Sequence, residues 1–94
     1  MAIKKRERLE IIKDILLSVK EKRNIKPTRL LYSSNLSPQM FKEYVNELLS
    51  KGFILMNTEK YKGKEKKFIS LTEKGNSFLN EYKVIENFIE NFGL

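Results

Sequence analysis

Apolar residues recur at helical spacing near the start of the chain, with polar residues between them. This stripe predicts a first helix over about residues 5–21 and consists of Leu9, Ile12, Ile15, Leu16 and Val19. Ile11 and Leu17 lie off the stripe. We interpret these two residues either as a second contact of the helix, with the C-terminal helix or another subunit, or as ordinary surface apolar residues.

Two helices joined by a very short turn are predicted next. Pro27 suits a first helical position and predicts a helix over 27–34. Only Asn35 and Leu36 separate this helix from a third one, predicted over 37–51, and asparagine tolerates the left-handed backbone that a tight turn needs. A turn this short predicts a helix-turn-helix unit.

The third helix carries signals for both of its ends. Ser37 can cap its start, and Gly52 can take the left-handed conformation that ends a helix. Its apolar side is predicted to face the core and consists of Phe41, Tyr44, Val45, Leu48 and Leu49. Its opposite side consists of Gln39, Lys42, Glu43, Asn46 and Ser50. We interpret that polar side either as a solvated face or as a surface that contacts base edges, since side-chain amides pair with bases bidentately.

The pattern changes to short apolar runs after Gly52. The runs 53–56 and 68–71 are rich in residues that favour strands. The residues between them, 57–67, predict a hairpin with a basic tip near 62–64, and its lysines are Lys60, Lys62, Lys64, Lys66 and Lys67. Such a tip is either a solvated loop or a contact for phosphates.

A final helix is predicted from Thr72, which can cap it, with Glu73 where the helix dipole favours negative charge. Its apolar residues follow a heptad pattern and are Phe78, Tyr82, Ile85, Ile89 and Phe92. The pattern predicts either a helix that closes the protein's own core or a dimerisation helix, although it is shorter than the roughly three to four heptads typical of a coiled coil. We therefore expect a domain over 1–71 and a dimerisation helix over 72–94.

Composition narrows the possible functions. The formal net charge is +7 and the pI is near 9.7, which suits nucleic acid or an anionic membrane surface as a partner. Cysteine and histidine are both absent, so thiolate metal sites are excluded and the commonest general base is missing. We expect no enzymatic activity, no metal and no cofactor. No apolar run approaches the ~18 residues of a membrane span and the N-terminus lacks a signal-peptide h-region, so we expect a soluble cytoplasmic protein. Of the two kinds of anionic partner, we expect nucleic acid and no membrane.

The order of the predicted elements is three helices, a strand, a basic loop, a strand and a helix. This order is that of a winged helix-turn-helix, a mainly α fold with a small β-hairpin (α+β), here with an extended C-terminal helix. In such a fold the third helix can enter the major groove of DNA while the wing, the basic hairpin, lies on the adjacent backbone. The order therefore predicts a transcription regulator or another DNA-binding protein.

Two segments carry a closer resemblance. The segment 27–37, with its Thr-Arg-apolar-apolar-Tyr and Asn-Leu-Ser patterns, and Leu-Thr-Glu-Lys-Gly at 71–75 resemble the small archaeal winged-helix DNA-binding proteins of the ten-kilodalton nucleoid type. The resemblance implies an archaeal or archaeal-virus source and association with the nucleoid. It also implies a homodimer joined by an antiparallel coiled coil of the last helices, with double-stranded DNA bound by helix three and the wing of each subunit.

These interpretations define the candidate residues. Those expected to contact DNA are Arg29, Ser37, Gln39, Lys42, Asn46, Lys60, Lys62, Lys64, Lys66 and Lys67. Those expected in the dimer interface are Phe78, Tyr82, Ile85, Ile89 and Phe92. Arg29 is either a phosphate contact or part of a salt bridge. The basic residues of the N-terminus form either a phosphate-binding arm or a solvated end, and are Lys4, Lys5, Arg6 and Arg8.

Two alternative functions remain open at this point. The first is a protein-interaction adaptor that keeps the winged-helix scaffold and docks a partner through its C-terminal apolar stripe, because a fold does not dictate a function. The second is RNA binding, since Tyr32 and Tyr61 can stack on bases. The sequence contains no pattern for the aromatic sheet platform that many RNA-binding domains use.

Overall fold

A computed structural model describes the backbone of residues 2–93 and the side chains of residues 7–93. The elements in chain order are α1 (Ala2–Lys22), α2 (Pro27–Ser34), α3 (Pro38–Ser50), β1 (Ile54–Tyr61), β2 (Lys64–Leu71) and α4 (Glu73–Asn91). This order confirms the predicted winged helix-turn-helix with a C-terminal helix.

The turn between α2 and α3 has the predicted left-handed residue. Asn35 has a φ of 58°, and the Ser34 hydroxyl accepts a hydrogen bond from the Leu36 N–H at 3.2 Å. The Ser37 hydroxyl then caps α3 by accepting from the Met40 N–H at 3.2 Å. These local bonds satisfy backbone N–H groups that have no helical partner at the turn.

The end of α3 is a Schellman motif centred on Gly52, whose φ is 78°. The Gly52 N–H donates to the Leu49 carbonyl at 3.2 Å, and the Phe53 N–H donates to the Leu48 carbonyl at 2.9 Å. This pair of bonds satisfies carbonyls that the helix leaves open and turns the chain directly into β1. The hairpin is therefore held at a fixed position relative to α3.

The hairpin is a regular antiparallel ladder from its base to its tip. Pairing runs from Ile54 opposite Leu71 to Tyr61 opposite Lys64. Lys62 and Gly63 form the two-residue turn, and both have positive φ, as a type I′ turn requires. The strands thus extend well beyond the apolar runs that predicted them, and most of the wing is paired backbone.

An isolated β-bridge outside the hairpin was not predicted from the sequence. Ile25 pairs with Ile69 through two hydrogen bonds, from the Ile25 N–H at 3.1 Å and from the Ile69 N–H at 2.8 Å. Ile25 is buried, although it lies in a connection that is otherwise polar. The bridge anchors β2 on its second edge and ties the hairpin to the start of α2.

One core joins all the helices to the base of the hairpin. Its buried residues are Ile12, Ile15, Leu16, Val19, Ile25, Leu30, Phe41, Val45, Leu48, Ile54, Ile69 and Leu79. The predicted core side of α3 is thereby confirmed, with Tyr44 and Leu49 packed at the edge of the core. Four of the five residues in the apolar stripe of α1 are buried, whereas Leu9 is 43% exposed. Burial of side chains such as these contributes about 1.5 to 3 kcal/mol each relative to exposure.

The start of α4 is locked to the end of α3. The Thr72 hydroxyl accepts from the Gly75 N–H at 3.1 Å and donates to the Gly52 carbonyl at 2.6 Å. A Cβ at Gly75 would lie 2.3 Å from the Phe53 carbonyl oxygen, so only glycine permits this approach. The predicted cap of the last helix is therefore also the joint that fixes its direction.

Candidate nucleic-acid interface

The outer side of α3 is free of the core. Gln39, Lys42 and Asn46 are all exposed, whereas Phe41 and Val45 on the opposite side are buried. Among the residues whose side chains are described, none forms an ion pair with Lys42. Two amides and one cation thus share a solvent-facing side, and an amide can donate and accept at one base edge.

A network that the sequence did not predict removes one acid from this side. The Arg8 guanidinium of α1 donates to the Glu47 carboxylate, and the Lys51 Nζ donates to the same oxygen at 2.9 Å. The hydrogen bond from Lys51 lowers the pKa of Glu47, and the charge of Arg8 lowers it further. Burial raises the pKa of Glu47 but does not outweigh these two effects, so the pKa lies below its ordinary value. Arg8 also lies 5.8 Å from the centre of the Tyr44 ring.

Arg8 therefore holds α3 against α1 and is not a free cation of an N-terminal arm. No local pattern could have revealed this contact, because 39 positions separate its two residues. The side chains of Lys4, Lys5 and Arg6, which were considered for the same arm, lie outside the described residues.

The wing lysines divide between the two faces of the hairpin, since paired residues share a face and successive pairs alternate. On the core-side face, which carries Ile54 and Ile69, lie Lys60 and Lys67. On the outer face lie Lys64 and Lys66, and Lys62 is in the turn. All five side chains are exposed. The wing therefore presents positive charge on both faces and at its tip.

Some of this positive charge is partly offset within the hairpin. The Lys60 Nζ lies 3.9 Å from the Glu65 carboxylate, directly across the ladder. The Lys62 Nζ lies 5.6 Å from the centre of the Tyr61 ring, and both are exposed at the tip. An exposed pair of this kind contributes at most about 1 kcal/mol, so Lys60 remains available to another partner.

The two candidates before α3 occupy different environments. The Ser37 hydroxyl oxygen accepts the capping hydrogen bond of α3, so its free capacity is to donate. Arg29 is exposed on α2, and no described side chain forms a salt bridge with it. The alternative interpretation of Arg29 as a salt-bridge residue is therefore not supported by its surroundings.

The apolar residues of α4 separate into two groups. Phe78 packs edge to face on Phe53, with ring centres 5.7 Å apart, and Tyr82 lies half-buried beside it. Further along the helix, Ile85 is 56% exposed and Phe92 is 68% exposed. The first part of α4 therefore closes the protein's own core, and the second part presents apolar surface to solvent.

A groove of about 530 Å³ between α1 and α4 continues this apolar surface. Leu9, Ile85 and Ile89 line it, and four glutamates surround it, Glu10, Glu81, Glu86 and Glu90. At its edge the Lys13 Nζ lies 3.5 Å from the Glu86 carboxylate. Burial lowers the pKa of Lys13, but the charges of Glu86 and Asp14 outweigh that effect and raise it overall.

In the part of the chain that the structure describes, acidic side chains do not gather into a group of three or more that could hold a metal ion. None of the helices there combines the length and the apolar character needed to cross a membrane.

A helix-turn-helix followed by a β-hairpin wing defines the class of winged helix-turn-helix proteins. The profile of the winged helix-turn-helix family matches residues 5–90, and the chain belongs to that family. Over 57 residues it is 44% identical to an uncharacterized protein of Methanocaldococcus jannaschii. That alignment covers 61% of this chain and 58% of the relative, so the chain spans little more than half of the relative's length.

Two solved structures share the fold. The DNA-binding protein Sso10a-2 from Sulfolobus solfataricus matches with a TM-score of 0.66 and 23% identity, over 89% of this chain and 82% of that chain. A MarR family transcriptional regulator from Silicibacter pomeroyi DSS matches with a TM-score of 0.68 and 18% identity, over 82% of this chain and 50% of that chain. The predicted resemblance to archaeal winged-helix proteins is confirmed by the family match, the archaeal relative and the shared fold.

Proposed function

We propose that this protein binds double-stranded DNA, as a transcription regulator or a nucleoid-associated protein. The observation that carries the proposal is the free polar side of α3, where Gln39, Lys42 and Asn46 are exposed next to a rigidly attached basic hairpin. The major groove of B-DNA is wide enough to admit a helix, and these side chains suit base edges and nearby phosphates. Membership of the winged helix-turn-helix family supports the same function.

In this proposal the wing supplies phosphate contacts, which give affinity without sequence information. Its lysines are exposed on both faces and at the tip, and Arg29 and Ser37 lie at the other end of the helix-turn-helix. The network around Glu47 supports the proposal, because it neutralises an acid that would otherwise repel the backbone. Glu43 is then the acid that remains on the exposed side of α3.

The proposal includes a homodimer in which residues 1–71 bind DNA and 72–94 join the subunits. Exposed apolar side chains on the second half of α4 and at its C-cap support it, and they are Val84, Ile85, Phe88 and Phe92. A partner that covers such side chains gains about 1.5 to 3 kcal/mol for each one fully buried. A second copy of the chain offers a matching surface, since isologous contacts use the same patch on both subunits.

The experiment that tests DNA binding is fluorescence anisotropy of a labelled random-sequence duplex of about 25 base pairs, titrated with protein at several salt concentrations. We expect micromolar binding whose logarithm falls linearly with the logarithm of the salt concentration, since each neutralised phosphate releases counterions. Absence of binding at low salt would contradict the proposal for general duplex DNA. It would leave either a regulator that binds only its own operator or the adaptor hypothesis, in which α4 docks a different protein.

A further inference from the structure

A second concave site lies away from the α1–α4 groove. A cleft of about 760 Å³ opens between the end of α1, the start of α2 and the strand β2. Its size falls within the roughly 300 to 1,000 Å³ of small-molecule sites in proteins. Neither the polar side of α3 nor the exposed half of α4 contributes to it.

We call this cavity the basic cleft. Its floor is apolar and partly aromatic. Ile25 and Phe68 line it, and the Tyr32 side chain stands at its edge with 80% of its surface exposed. Phe68 belongs to the outer face of the hairpin and is half-buried. A flat apolar group between the two aromatic rings would bury surface that now faces water.

The rim of the basic cleft is positively charged. Lys22, Lys26 and Arg29 line it, together with a single acid, Glu21. None of these three cations forms an ion pair with any side chain in the described range 7–93. Three cations beside one cavity repel one another, and an anion bound there relieves that repulsion.

We propose that the basic cleft binds a small planar organic anion, an aromatic ring that carries one carboxylate or sulfonate group. The ring lies against Tyr32 and Phe68, and the anionic group is held by Arg29 and Lys26. Arginine suits this role because its planar guanidinium pairs with a carboxylate through two parallel hydrogen bonds.

The α1–α4 groove provides an internal contrast. It is also apolar, but it is surrounded by glutamates, including Glu81 and Glu90, which repel an anion. The glutamates do not repel a neutral aromatic compound from the groove. We therefore expect an anionic aromatic compound to occupy the basic cleft in preference to the α1–α4 groove.

The test is a titration of the isotope-labelled full chain with 2-naphthoate, followed by ¹H–¹⁵N NMR. We expect saturable shifts of amide signals in 22–33 and at Phe68, with smaller shifts there for the neutral 2-naphthamide.

Arg29→Gln should weaken binding of 2-naphthoate at least about fivefold, because it removes a charge-assisted hydrogen bond. Lys20→Gln is the matched control, since Lys20 is exposed on α1 but does not line the cleft, and it should leave the affinity unchanged.

Three results would overturn the proposal. They are shifts centred on α4, the absence of saturable shifts in 22–33, and equal weakening by Lys20→Gln and Arg29→Gln. Inorganic phosphate is titrated alone as a further control. If it produces the same shifts as 2-naphthoate, the aromatic part of the proposal is wrong.

Occupation of the cleft has a consequence that rests on the proposed DNA binding. Arg29 cannot hold the anion and a DNA phosphate at once, so 2-naphthoate should weaken DNA binding in the anisotropy assay. The titration of the free protein does not depend on DNA. Failure of DNA binding and failure of the cleft proposal are therefore measured separately.

Discussion

Glu47 lies on α3 but is not part of its free polar side. Its carboxylate accepts hydrogen bonds from Arg8 and Lys51, which come from different elements of the chain. The charge that remains on the exposed side of the helix is then that of Lys42 and Glu43. At the scale of single residues, an ion pair with α1 therefore adds to the core contacts that hold α3.

This arrangement predicts how stability depends on pH. The pKa of Glu47 is lowered from its ordinary value of 4.5, so its contribution to stability is present above that pH and is lost as the pH falls through the lower pKa of the folded state. Glu47→Gln should reduce the free energy of unfolding by about 0.5 to 1 kcal/mol at pH 7, and the difference from the wild type should shrink below pH 4.5.

Urea denaturation followed by circular dichroism between pH 7 and pH 3 measures this difference. Glu43→Gln is the control, because Glu43 is exposed on the same helix. A difference between the wild type and Glu47→Gln that stays constant across the whole pH range would show that the charge of Glu47 does not stabilise the fold.

At the scale of the elements, the wing is a two-faced ladder whose lysines differ in their surroundings. Replacing Lys64 and Lys66 together with alanine should weaken binding to all duplexes alike. The salt slope should fall by about 0.9 for each phosphate that the variant no longer neutralises. Lys60→Ala should have a smaller effect, because the nearby carboxylate of Glu65 already offsets part of its charge.

Anisotropy titrations of these variants at several salt concentrations give the slopes. Each variant is also compared with the wild type by circular dichroism, since exposed residues of a paired strand should not alter the fold. If the slope of the double variant equals that of the wild type, the outer face of the wing takes no part in binding.

The elements also show how far the sequence predicts the structure. Caps and turns are local, so Ser37, Asn35 and Gly52 were sufficient to place both ends of α3. The bridge between Ile25 and Ile69 joins distant parts of the chain, and no spacing pattern marks it. The candidate DNA-binding residues could be predicted as chemical types, but the ion pairs of Glu47 and the division of the wing lysines between two faces required the fold.

At the scale of the whole molecule, charge and apolar surface are separated. The described part measures 55 × 26 × 21 Å, with basic residues concentrated before α4 and exposed apolar residues on the second half of α4. One half of α4 completes the core through Leu79 and Phe78, and the other half projects beyond it. We propose that the same helix serves both the fold and self-association.

The proposed dimer leads to a prediction about Ile85, which is more than half exposed in the single chain. Ile85→Asp should leave the fold intact and shift a dimer to a monomer, because burying an unpaired charge in an apolar interface is costly. Analytical ultracentrifugation at several concentrations measures this. Lys83→Asp, an exposed change on the same helix turn, is the matched control.

A wild-type chain that remains monomeric at high concentration would contradict the dimer. Identical sedimentation of Ile85→Asp and the wild type as dimers would place the interface elsewhere. Loss of the dimer should also weaken DNA binding, because two linked sites bind with an effective concentration that a single site lacks.

NMR mapping of the labelled protein with an unlabelled random-sequence duplex tests the proposed DNA-binding surface directly. We expect the largest changes on the exposed side of α3, at Gln39, Lys42 and Asn46, and along the wing at 60–67. Signals from the second half of α4 should broaden with the mass of the complex but not shift. Shifts centred on α4, with α3 and the wing unchanged, would contradict the proposed DNA-binding surface and identify the C-terminal helix as the binding surface.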